Sequence, residues 1–393
     1  DSIGLLYSAI THYLGWKHHS DEGIVMGLAP YGDSKTMIES SNKTYEQVFK
    51  EIIYETDDYH FEIDKSWIEY HLVRDKWISD KFIQTFGPKR EPEGSVELHH
   101  KHVAAALQDR IEEIILNQLK KAREEFGFKK LCLSGGVFLN CSLNGKIQES
   151  KIFDEIFVQP ASSDDGAAIG ACFLSHKNLK QELKTQRFDD FYLGSSYSNS
   201  DIEKSLKAHD VEWKKLDDVF NYTAKKLNEK KIIGWFQGGA EFGPRALGNR
   251  SILTSPFPKD MKDFLNTRVK FREEFRPFAP AILNEYTKEY FEIDQESPHM
   301  LINARVLDAK INEIPAAIHV DNTARIQTVK PENNTRFRKL LEEFHKETGC
   351  PVLLNTSFNI KGQPIVNSPD EAIDCFLGTN IDVLVIGDFV LEK

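Results

Sequence analysis

Two segments of this chain concentrate residues suited to binding anions. Residues 234–256 read GWFQGGAEFGPRALGNRSILTSP and residues 266–280 read NTRVKFREEFRPFAP. Together they carry Arg245, Arg250, Arg268, Lys270, Arg272 and Arg276. These cations are interleaved with Gly, Pro and Phe, not with Glu at the spacing of a salt-bridged, solvated helix face. Gly and Pro fix turns, and the Phe side chains are expected to pack beneath them. An Arg held rigidly in such a setting needs an anionic partner, because an unpaired buried charge is costly. Guanidinium groups grip phosphate or carboxylate through a two-pronged fork. The competing expectation is internal pairing with Glu241, Glu273 and Glu274. Arg325 opens an expected strand in HVDNTARIQTV (319–329), and Asn355, Thr356, Ser357 and Lys361 lie in the polar turn NTSFNIKGQPIV (355–366). Added to the Arg-rich stretch, they suggest one basic pocket for a small phosphate-bearing ligand.

Two further turns could hold a ligand. In SGGVFLN (134–140), Gly135 and Gly136 allow close backbone approach to a phosphate, and the N–H groups of a following helix would point at it. The plainer reading is a tight strand–helix turn. In SSDDGAAIG (162–170), Asp164 and Asp165 could hold a hard metal ion, or could simply cap a helix. Both turns follow expected strands, at the strand ends where open α/β sheets place ligands. His99, His100 and His102 invite a metal reading, but no carboxylate is set beside them in sequence, so a solvated or capping role is expected.

The elements that must position these residues alternate in type. Helical spacing predicts helices over 2–14, 102–126, 217–230, 335–347 and 369–377. Short apolar runs predict strands near 129–133, 154–160, 231–236, 325–329, 351–355 and 382–386. Residues 40–98 show little period and read as an irregular or partly helical insertion. This alternation implies an α/β architecture with an α+β C-terminal part. A polar stretch at 181–200 is the expected linker between domains at 1–180 and 201–393.

Composition narrows the options. The 393 residues carry 61 acidic and 50 basic side chains, for a net charge of -11. Binding of long nucleic acids is disfavoured, since it calls for a basic face. The five Cys are odd in number, widely spaced and without a CxxC pair, so they read as reduced core thiols of a cytosolic protein. No apolar run approaches the ~20 residues of a membrane span, and no signal-peptide pattern opens the chain. The chain begins on Asp1 and enters a helix almost at once, which suggests that a segment lies upstream.

The motifs SDEGIVMGLAPYG, LSGGVFLNC, FVQPASSDDGAAIGA, GWFQGGAEFGPRALGNRSIL, VKFREEFRPFAP, INARV, HVDNTARIQTV and GCPVLLNTSFNIKGQPIV resemble, in order, the carbamoyltransferase family that includes nodulation protein NodU and the antibiotic O-carbamoyltransferases. The resemblance implies an actin/Hsp70-like (Kae1-like) domain followed by a YrdC-like domain. It implies that carbamoyl phosphate and ATP, the latter with Mg2+, form carbamoyl-adenylate in the second. The carbamoyl group then passes to a hydroxyl of a sugar, polysaccharide or antibiotic in the first, with Fe2+ as the metal that the resemblance suggests. By motif, Arg245, Lys270, Arg276 and Arg325 would contact carbamoyl phosphate and ATP, with Asn355 and Lys361 nearby. Gly135, Gly136 and Asn140 would cradle nucleotide, and Asp164 would bind metal. Family members carry an upstream segment with a His-rich metal motif, which His99 and His102 do not match. The chain alone is therefore expected to manage at most the adenylating half of the reaction. The rivals are tRNA threonylcarbamoyl transfer and an inactive nucleotide-binding scaffold.

Overall fold

A computed structural model describes residues 1–56, 59–179 and 191–393. Two compact units emerge, Asp1–Val158 and Gln159–Lys393.

In the first unit, Ser2 caps the helix Ile3–Tyr13 by accepting from the Leu5 N–H at 3.2 Å. The longest helix, Leu98–Phe126, buries Val103, Ala104, Leu107, Ile111 and Ile114 along one stripe and stops at Gly127 in the left-handed conformation. Two parallel strands follow, β1 (Lys130–Leu133) and β2 (Glu155–Val158), joined through the helix Cys141–Glu149. The stretch read as irregular holds the helices Tyr45–Ile52 and Asp80–Phe86 and a small antiparallel pairing of Ile53–Glu55 with Phe61–Ile63.

The second unit is built on a mixed eight-stranded sheet. Its strands are β3 (Lys214–Lys215), β4 (Ile233–Phe236), β5 (Arg250–Thr254), β6 (Ala279–Leu283), β9 (Gln327–Val329), β10 (Val352–Ser357), β11 (Val383–Ile386) and β12 (Phe389–Glu392). The strand order is β9-β6-β10-β5-β4-β11-β12-β3. β9–β6 and β11–β4 pair in parallel, the remaining neighbours antiparallel. A separate hairpin pairs β7 (Asn303–Arg305) with β8 (Thr323–Arg325). β4, β5, β6, β9 and β11 are buried at every position. Such strands read as unbroken apolar runs rather than as alternation. The helices Val219–Asn228 and Thr335–Thr348 pack on one another, and Pro369–Leu377 packs on β4 and β11.

Three expectations change. β5 and β6 run through the Arg-rich stretch, where the sequence suggested only turns. The expected strand 325–329 is broken at Ile326: Arg325 ends the hairpin and Gln327 starts a strand of the main sheet. Cys132 and Cys172 are exposed and Cys375 half-buried, so only Cys141 and Cys350 are core thiols. Of the expected linker, residues 181–190 lie outside the described residues. Residues 191–195 run beside 240–242, with Phe242 N–H donating to the Phe191 carbonyl at 2.7 Å and Gly194 N–H to that of Ala240 at 2.9 Å.

Candidate functional site

The loop between β4 and β5 is organised by two charged side chains that face backbone, not ligand. One Glu241 carboxylate oxygen accepts from the N–H groups of Leu247 (2.7 Å), Asn249 (2.8 Å) and Arg250 (3.2 Å). Burial pushes the Glu241 carboxyl above its usual range, and these N–H groups pull it back. The Arg250 side chain is fully buried. It donates to the carbonyls of Gln237 (2.6 Å), Gly238 (3.2 Å), Asn249 (3.0 Å) and Ser195 (2.8 Å), with its guanidinium 3.7 Å from the centre of the Phe236 ring. Burial lowers its pKa to about 10. Gly248 is irreplaceable here: its φ is +106° and a Cβ would lie 2.3 Å from the Phe337 ring. The Leu247 carbonyl accepts from Tyr192 (3.1 Å) and Gln327 (2.8 Å), which ties the loop to β9. Arg245 is half-buried on this loop, its Nε enclosed.

The second Arg-rich loop is different. A π-helical turn, Asn266–Lys270, ends at Phe271 in the left-handed conformation (φ 50°). Asn266 is fully buried and holds the loop closed. Its Nδ2 donates to the Glu274 (3.2 Å) and Arg276 (3.0 Å) carbonyls, and its Oδ1 accepts from Arg272 Nε at 2.7 Å. Lys270, 3% exposed, donates to the carbonyls of Ser357 and Asn359, both at 2.8 Å, and to the side-chain oxygens of the same residues. It therefore pins the turn after β10 rather than pointing its ammonium into open space. Burial, then the charges of Arg272 and Arg276, hold Lys270 well below the usual lysine range. Burial, then Arg276 and Arg325, do the same to Arg272. These side chains are thus close enough to repel one another. The Arg325 Nε is buried with no hydrogen-bond partner among the described residues.

One carboxylate partly offsets this charge. Glu273 lies 3.7 Å from Arg276 and 3.9 Å from Lys361. The exposed Lys361 is drawn in by its N–H, which donates to the Lys270 carbonyl at 3.2 Å. Asn355 is fully buried in β10 and donates to Gln327 Oε1 at 2.9 Å, two residues beyond Arg325. Residues from three distant segments thus converge: Lys270 and Arg276, Arg325, and Asn355 with Lys361. Sequence reasoning missed Asn266 and Gln327, and named Glu241 only as an internal ion-pair partner, whereas its carboxylate accepts from backbone N–H groups. The signal for Asn266 was present, since an Asn inside an apolar and basic run has no reason to be there unless it bonds backbone.

The other candidates lie apart. Gly135 (φ +112°) and Gly136 are exposed at the end of β1, with open space where a Gly135 Cβ would stand. Asn140 caps the helix Cys141–Glu149 through Leu143 N–H at 3.0 Å and exchanges amide hydrogen bonds with Gln108 at 2.9 and 3.2 Å. Asp164 and Asp165 are exposed at the 3-10 turn that starts the helix Ala167–Asn178. No group of three or more His, Cys, Asp or Glu side chains among the described residues is arranged to hold a metal ion. Asp164 has no fellow ligands within them. Of the three histidines, His100 and His102 are buried rather than solvated. His100 Nδ1 accepts from Glu97 N–H at 3.0 Å and His102 Nδ1 from Asp33 N–H at 2.9 Å. Burial lowers the His100 pKa to about 4. Among the described residues no helix is long and apolar enough to cross a membrane.

Comparison with known proteins now bears on this geometry. Residues 1–173 match the family model "Carbamoyltransferase N-terminus" and residues 224–393 match "Carbamoyltransferase C-terminus". An uncharacterized protein of Synechocystis sp. is 40% identical over all of this chain and 67% of its own length. Nodulation protein NolO of Bradyrhizobium diazoefficiens is 39% identical over all of this chain and 69% of its own. The 3'-hydroxymethylcephem-O-carbamoyltransferase of Streptomyces clavuligerus is 30% identical over 94% of this chain and 64% of its own. The chain thus spans about two thirds of the length of these relatives. Matched by family models across most of its length and by named relatives in the same frame, the chain belongs to the carbamoyltransferase family, a family of transferase enzymes.

Proposed function

We propose that the second unit forms carbamoyl-adenylate from carbamoyl phosphate and ATP, for transfer of the carbamoyl group to a hydroxyl of a sugar-containing or natural-product acceptor. The observation that carries this reading is the crowding of Lys270, Arg272, Arg276 and Arg325 in an acidic chain, partly offset by Glu273. Like charges held together raise the energy of the empty site. A ligand with several negative charges recovers that energy on binding.

Atom balance sets the reaction. Carbamoyl phosphate, water and ATP give carbamoyl-adenylate, phosphate and pyrophosphate. Water cleaves carbamoyl phosphate to carbamate and phosphate; a carbamate oxygen then bonds the α-phosphorus of ATP as the P–O bond to the β-phosphate breaks, and negative charge accumulates on the departing pyrophosphate. Fixed guanidinium groups in a buried site stabilise that charge without reorganising. Arg276 and Arg325 are the groups that would meet it. Lys270 would act one step removed, by holding the 357–361 turn against them. Mg2+ bound with ATP would neutralise part of the triphosphate. In this reading the first unit is a Kae1-like partner in transfer that carries the Gly135–Gly136 turn, and the second is YrdC-like.

The test is isotope exchange between pyrophosphate and ATP by the 393-residue chain. Exchange that requires carbamoyl phosphate is expected. Exchange without it, or none under any condition, sinks the reading.

A further inference from the structure

Phe271 is out of place by two independent measures. Its φ of 50° puts a bulky aromatic residue in the left-handed region, at the end of a π-helical turn. Non-Gly residues there carry strain, of the kind that collects at ligand clamps. The side chain is also 50% exposed, so it gains little from folding in return. Its neighbours make the contrast sharper. Val269 is fully buried, Lys270 is 3% exposed, and Arg272 bonds Asn266 and stacks its guanidinium 4.6 Å from the Phe278 ring. The loop therefore buries Val269 and Lys270 and half-buries Arg272, yet turns one aromatic ring outward. It does so between two members of the cation cluster. The strain is enforced from below: the N–H groups of Phe271 and Arg272 both donate to the Asn266 carbonyl.

A flat apolar ring beside clustered cations matches a ligand with a flat π-face attached to several phosphates. We infer that Phe271 is a specificity-determining residue that stacks on the nucleobase of the nucleotide whose phosphates lie among Arg272, Arg276 and Arg325. This rests on the anion-binding reading of the cluster and goes beyond it. Carbamoyl phosphate has no ring, so an aromatic contact here separates nucleotide from every other anion in the reaction. Base–aromatic stacking tolerates any base, so the residue selects a nucleoside triphosphate over bare phosphates rather than adenine over guanine.

The experiment is calorimetric titration of the full chain with ATP and, separately, with inorganic tripolyphosphate. Phe271→Ala is expected to weaken ATP about tenfold and to leave tripolyphosphate within about twofold. Phe271→Trp should keep ATP affinity. Phe271→Gly should show the same selective loss as alanine with an unfolding midpoint no lower than the parent's, because glycine adopts this φ freely. Equal loss for both ligands, or no loss for either, overturns the inference. A parent chain that binds neither probe overturns the cluster's anion-binding reading, and the stacking role with it.

Discussion

The loop 237–250 sets two arginines among four glycines, the loop 266–278 sets four cations among three phenylalanines with no glycine, and the fold uses their charges in opposite ways. In the first, Arg250 and Glu241 are each tied to several backbone groups and act as internal struts. In the second, Asn266 braces the backbone, Lys270 is spent on the Ser357 and Asn359 carbonyls, and Arg272, Arg276 and Arg325 are left to crowd one another. A neutral amide in the strut position is what lets charge remain available for a ligand. Whether an Arg is structural or functional is therefore decided by whether nearby carbonyls turn toward it.

That contrast can be broken by exchange of roles. Arg250→Ala should cost about 3–5 kcal/mol in chemical denaturation, since it strips a buried cation from its carbonyl partners. A cost near that of a surface substitution would erase the difference between the loops. Arg325→Ala should do the reverse: about a hundredfold loss of carbamoyl-phosphate-dependent exchange, with thermal stability equal to or above the parent's. Marked destabilisation would make Arg325 a strut too. Glu241→Gln should cost about 1–3 kcal/mol, because one good acceptor of three N–H bonds is weakened.

Two titrations sharpen the comparison. His100, also spent on backbone, has a folded pKa of about 4 against an ordinary 6.5. The unfolded chain binds a proton that the fold refuses, so its contribution is present above pH 6.5 and lost as pH falls toward 4. His100→Asn should flatten the acid limb of the urea midpoint. The smallest effect concerns Lys270, whose pKa burial holds down. A bound polyanion should raise it, so titrations in buffers of different ionisation enthalpy should report proton uptake on ATP binding. Proton release would contradict the placement of the anion beside it.

The sequence exposed much of this. Apolar periodicity located the helices Ile3–Tyr13, Leu98–Phe126 and Thr335–Thr348 and the strands β4, β10 and β11. Segment chemistry located the cations at 270, 276, 325 and 361 that the fold gathers. It concealed β5 and β6, because RSILT and APAIL sit between Gly- and Pro-rich turns and look like their continuation. It also concealed the break at Ile326, since a strand that leaves one sheet and enters another keeps its apolar pattern. Lys270 and Arg276 look alike in sequence. Only the carbonyls of Ser357 and Asn359, almost ninety residues away, separate their roles.

One margin of the large sheet has a consequence outside catalysis. Its last strand, β3, is two residues long, and both are exposed lysines. An edge of that kind offers an incoming chain hardly any ladder to extend and two positive charges to desolvate. Newly made copies at high concentration therefore meet little template for strand-to-strand association at this margin, and colloidal behaviour there is governed by charge rather than by backbone pairing.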